Sequence, residues 1–119
     1  MDIEMKTEFV SPLPNAKTIV LFGGNEQRRD QVVRLLMELP ATSIYGTLSE
    51  EEGMLKLAEL KNTDLVLIGG RYTNEQRIRI RAFVKANYPA TKITEPGYDY
   101  PYSNADILAD VKSKLGITG

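Results

Sequence analysis

Two Gly-Gly pairs, each associated with an Asn-Glu-Gln-Arg tetrad, are the residues of this sequence whose spacing could do chemistry. Gly23-Gly24 runs directly into Asn25-Glu26-Gln27-Arg28, and Gly69-Gly70 precedes Asn74-Glu75-Gln76-Arg77 by three residues. Glycine lets backbone approach a ligand closely, and the unpaired amides of a helix start favour an anion. Arg28, Arg71 and Arg77 lie where guanidinium groups could clamp a phosphate. The candidate ligand-binding set is therefore Gly23, Gly24, Asn25, Arg28, Gly69, Gly70, Arg71 and Arg77. Its ligand would be a nucleotide or another phosphorylated small molecule. The plainer alternative is that the glycines make tight strand-to-helix turns and the arginines face solvent. The pattern is neither G-x-G-x-x-G nor a Walker loop, and Glu26 and Glu75 oppose an anion.

Other chemistry has less material. The sequence has no histidine and no cysteine. That removes the commonest neutral-pH base, zinc sites built on those ligands, disulfides and thiol nucleophiles. No catalytic residue, metal ligand or cofactor is assigned. The acids Glu26, Glu75, Glu95 and Asp99 fall near the same turns, and a pair such as Glu95 and Asp99 could do acid–base work, although short polar loops carry such pairs routinely. Tyr98, Asp99, Tyr100 and Tyr102 form a second candidate set, for interaction, because tyrosines in a loop suit recognition. Arg77, Arg81 and Lys85 make a basic stripe at helical spacing. No aromatics interleave with it, and the net charge is −1, so a nucleic-acid surface is not expected.

The elements that position these residues are legible as an alternation. Thr18–Phe22 and Asp64–Ile68 are continuous apolar runs, as in strands buried on both faces. Ser43–Tyr45 and Thr91–Thr94 are shorter strands. Helices are expected from Asn25 to Leu39, from Ser49 (with Glu52 completing a capping box) to about Leu60, from Thr73 or Asn74 to about Asn87, and from Ser103 or Asn104 to Leu115. Between residues 25–44 and 74–93 there are eight identities in twenty aligned positions, where unrelated segments share about one. The echo includes Pro40-Ala41-Thr42 and Pro89-Ala90-Thr91, so a duplicated βαβα unit is expected. Strand–helix alternation with right-handed crossovers gives a three-layer α/β/α sandwich with four parallel strands. Numbered along the chain, those strands have the order 2-1-3-4. Both glycine turns then flank one crevice, where the winding reverses.

The pattern resembles the phospho-acceptor receiver domains of two-component signalling. Ile19–Gln27 looks like the opening strand and first helix, Asp64–Ile68 like the strand leading to the phospho-acceptor, and Pro101–Leu108 like the last loop and helix. Gly23 and Gly24 stand where the family has its metal-binding acids, Gly69 where it has its aspartate, and Tyr100 where it has its lysine. One strand–helix unit is also missing. The resemblance thus implies a flavodoxin-like fold without phosphotransfer, and a cis Tyr100–Pro101 peptide.

The sequence is accordingly read as an N-terminal arm over residues 1–16 and one α/β domain over 17–119. Pro12 and Pro14 oppose regular structure in the arm, and Phe9, Val10 and Leu13 could dock on the domain or on a second copy. The expected function is a non-enzymatic regulatory or protein-interaction domain; binding of a phosphorylated small molecule is the alternative. Expected partners are a protein or a second copy. With no apolar run of membrane-spanning length and no signal-like stretch, a cytoplasmic location is expected.

Overall fold

The structure, a computed structural model, describes residues 8–117. Its elements are β1 (Glu8–Phe9), β2 (Lys17–Phe22), α1 (Glu26–Leu36), β3 (Thr42–Thr47), α2 (Glu50–Leu60), β4 (Leu65–Ile68), α3 (Asn74–Asn87), β5 (Lys92–Thr94) and α4 (Asn104–Leu115).

Successive side chains of a strand point to opposite faces, so an apolar run must be covered on both. In β2, Ile19 and Leu21 join Val32, Val33 and Leu36 of α1 and Ile107 and Val111 of α4. Val20 and Phe22 point the other way, towards Leu57 of α2 and Ile80 and Val84 of α3. The run Leu65–Ile68 divides the same way. Two helices therefore lie on each face of the sheet.

The sheet is mixed and has five strands, in the order β1-β3-β2-β4-β5. This corrects the expected all-parallel sheet of four. The pairs β3–β2, β2–β4 and β4–β5 are parallel, and β1 adds an antiparallel edge through Glu8↔Tyr45 and Phe9↔Ile44. The physical reason is that Phe9 packs on the core of the α1/α4 face while the Ser11 amide donates to Ser43 Oγ at 2.9 Å. The expected arm thus enters the sheet from Glu8, while residues 1–7 lie outside the described residues. Val10 and Leu13 remain exposed.

Local signals set the helix starts. Asn25, Ser49, Thr73 and Ser103 each cap a helix by accepting from the amide three residues on. Thr73 and Gln76 form a full capping box. At Ser49 the return bond differs: Glu52 accepts from the Leu48 amide instead of from its cap. The first helix ends at Leu36, short of Leu39, with Met37 as its cap. Gly116 takes the left-handed conformation after α4. No cis peptide occurs among the described residues, so Tyr100–Pro101 is trans and the expected cis bond is corrected.

Candidate functional site

Parallel pairing brings the carboxyl ends of β2 and β4 side by side, with Phe22 opposite Ile68. The two glycine turns leave from these ends. The Gly69 amide donates to the Phe22 carbonyl at 2.8 Å, and Tyr72 Oη donates to the Gly23 carbonyl at 2.8 Å. A side chain at Gly69 would sit 3.0 Å from the Phe22 oxygen, and one at Gly24 would sit 2.8 Å from Arg71 Cβ. Neither glycine has positive φ. They are required by close approach, not by backbone conformation.

Between the turns lies a crevice of about 240 Å³, bounded by Gly23, Gly24, Asn25, Gly69, Gly70 and Arg71. Leu21 and Val32 supply its apolar part, and Arg28, Arg29 and Tyr102 complete its wall. Among the described residues, no carboxylate lines it. Asn25 spends its side chain on the Arg28 amide, 2.9 Å away, as the cap of α1. Arg28 donates from Nε to Tyr102 Oη at 3.0 Å, from Nη1 to Gln31 Oε1 at 2.9 Å and from Nη2 to Asn104 Oδ1 at 3.2 Å. Its guanidinium also lies 4.8 Å from the Tyr102 ring centre.

Seven of the eight candidate ligand residues meet at this crevice; Arg77 does not. Arg77 is 3% exposed and bonds inward, from Nη1 to Glu95 Oε1 at 2.7 Å, from Nη2 to the Gly69 carbonyl at 2.9 Å and from Nε to the Tyr72 carbonyl at 3.2 Å. It supports the second turn from beneath. The other Glu95 oxygen takes Arg81 Nε at 2.8 Å. Glu95 thus pairs with two members of the basic stripe, Arg77 and Arg81. Both Glu95 oxygens are committed, while Asp99, Glu26 and Glu75 are exposed.

The tyrosine loop divides. Tyr98 lies over Arg77 and Arg81, at 5.0 and 5.4 Å from ring centre to guanidinium. Tyr100 turns inward against the α1/α4 core, its Oη 2.6 Å from Thr94 Oγ1. Burial pushes its phenol up to about 12, with Asp110, Asp99 and Asp106 adding to the rise and the Thr94 bond opposing it. Asp99 donates its amide to the Glu95 carbonyl at 2.9 Å. Of the interaction set, Tyr102 alone lines the crevice.

Arg29 and Asp30 were not singled out by the sequence, yet they are 6% and 1% exposed. Asp30 Oδ1 takes both Nε and Nη2 of Arg29 at 3.0 Å. Asp30 Oδ2 is buried without a partner among the described residues. A sequence signal existed: Arg29 stands three, four and seven residues before Val32, Val33 and Leu36, on their helical stripe.

Among the described residues, no group of three acidic side chains is placed to hold a metal ion, and no helix is long and apolar enough to cross a membrane. Compared with known proteins, the chain matches no family model, no curated protein and no solved structure.

Proposed function

We propose that this chain is a non-enzymatic ligand-binding domain that takes a phosphorylated small molecule in the crevice between its glycine turns. One observation carries the reading: three arginines and two glycine turns line the crevice, and no carboxylate among the described residues does. The carboxyl ends of parallel strands at a reversal of winding are also where open α/β sheets hold ligands. Glycine backbone and a capped helix start supply further positive potential for a phosphate. The test is thermal denaturation against a panel of phosphate compounds. A ligand at a hundred times its Kd stabilises by about 2.7 kcal/mol. Absence of a shift across the panel contradicts the reading.

A second reading is a regulatory interaction domain that resembles a receiver without its phospho-acceptor. Exposed Tyr98 and Asp99 favour it, as does the flavodoxin-like order of the parallel strands. The trans Tyr100–Pro101 bond counts against kinship. The echo of capped helix and Pro-Ala-Thr supports duplication of a βαβα unit. The partner in this reading is a cytoplasmic protein or a second copy, with exposed Val10 and Leu13 beside the β1 edge available for contact. Acetyl phosphate with Mg²⁺ should leave the chain unmodified; stoichiometric phosphorylation contradicts this reading.

A further inference from the structure

We infer that the crevice takes a compact phosphate monoester as its dianion, rather than a nucleotide, with Arg29 as its anchor. The inference rests on the phosphate-binding reading above and narrows it.

Charge is the first argument. All three acceptors of Arg28 are neutral groups, namely Tyr102 Oη, Gln31 Oε1 and Asn104 Oδ1. Arg71 has no ion pair or side-chain hydrogen bond among the described residues. Arg29 is offset by Asp30. The crevice therefore presents the uncompensated charges of Arg28 and Arg71, which match a phosphate monoester carrying close to two negative charges at neutral pH. Beyond Asp30, Glu26 is the other acidic group beside Arg29. Its Oε2 lies 4.0 Å from Arg29 Nη2, beyond hydrogen-bond range, and its side chain is largely exposed. It is free to swing away from an incoming oxygen.

Position is the second argument. Arg71 must be ordered by a ligand and Arg28 must trade its neutral partners for one, but Arg29 is already buried and held by Asp30. Asp30 occupies its Nε and Nη2, and Nη1 has no partner among the described residues. A planar guanidinium held on one side by a carboxylate loses little side-chain freedom when its other side meets a phosphate. Asp30 is a positioning residue here, since it touches the arginine and does not line the crevice.

Size is the third. The crevice, at about 240 Å³, lies below the range of pockets for drug-sized ligands, about 300–1,000 Å³. The one aromatic ring that lines it, Tyr102, has Arg28 over a face and its Cδ2–Cε2 edge against Gly70. A base stacking there must first displace Arg28.

Calorimetric titration of the full chain with ribose 5-phosphate, inorganic phosphate, dimethyl phosphate and AMP tests the inference. Ribose 5-phosphate should bind and be displaced by inorganic phosphate. AMP and the singly charged dimethyl phosphate should bind about tenfold more weakly or worse, a difference of about 1.4 kcal/mol. Arg29→Lys should weaken ribose 5-phosphate by about tenfold or more, and Arg71→Gln severalfold. Equal binding of AMP overturns the compact class while leaving phosphate binding intact. Equal binding of dimethyl phosphate overturns the dianion. Binding by folded Arg29→Lys at the original affinity overturns the anchor. Should that variant not fold, unchanged affinity in Arg71→Gln overturns the site. Silence from every probe defeats both the inference and the reading beneath it.

Discussion

Tyr72 donates its phenol hydrogen to the Gly23 carbonyl across 2.8 Å, and so ties the turn after β4 to the turn after β2. The two sides of the crevice are held in register by this bond and by the Gly69 amide on Phe22. Tyr72→Phe keeps the ring against Phe22 but leaves the carbonyl unpaired. An unsatisfied buried group costs about 1–3 kcal/mol. Urea denaturation should show a loss in that range. A change near zero would mean that water replaces the phenol without penalty.

The same phenol should make stability fall in alkali. Burial, with Glu50 and Glu52 adding to it, pushes Tyr72 up to about 12; Tyr100 stands at about 12 as well, also chiefly through burial. In the unfolded chain both titrate near 10. Between those values the native state holds protons that the unfolded state has lost. The contribution is complete below about pH 10 and is lost as pH rises through about 12. Tyrosinate absorbance should show two groups ionising late in the folded protein, and Tyr72→Phe should remove one. Normal titration of every tyrosine would refute the assignment.

Glu95 joins Arg77 and Arg81 to the end of β5, and its pair with Arg77 is almost wholly buried. Removing one partner of such a pair strands a charge and costs about 3–5 kcal/mol. Glu95→Gln should destabilise by an amount of that order in chemical denaturation. It should also loosen the Gly69–Tyr72 turn that Arg77 holds, seen as faster amide exchange there. A loss under about 1 kcal/mol would show that the pair contributes nothing net.

Gly53 gives a prediction opposite in sign to helix propensity. It lies inside α2, where alanine normally gains about 1 kcal/mol over glycine. Here an added Cβ would collide with the ring of Phe22, which is fully buried. Overpacking of this kind costs about 1–3 kcal/mol. Gly53→Ala should therefore lower the thermal midpoint; a rise would show that Phe22 can yield.

These variants also mark where the sequence could be read and where it could not. The caps at Asn25, Ser49, Thr73 and Ser103 and the buried runs of β2 and β4 are local signals, and the structure uses them. The edge strand Glu8–Phe9 is too short to show periodicity, and the prolines after it point to an arm. Arg77 reads as one step of an exposed basic stripe, because its neutralising carboxylate lies eighteen residues away and on a different element. Arg29-Asp30 reads as an ordinary charged stretch, although its spacing from Val32, Val33 and Leu36 puts it on the inward face. Long-range pairing decides which arginine is a ligand group and which is a strut. The strand–helix pattern does fix the place of the crevice, because both glycine turns end adjacent strands.

Amide chemical shifts of the labelled chain, followed as inorganic phosphate is added, test the central claim most directly. The account expects saturable shifts at Gly23, Gly24, Asn25, Gly70 and Arg71, lost in a variant with Arg28 and Arg71 both changed to Glu. Shifts confined to other surfaces, or none up to millimolar phosphate, would contradict it.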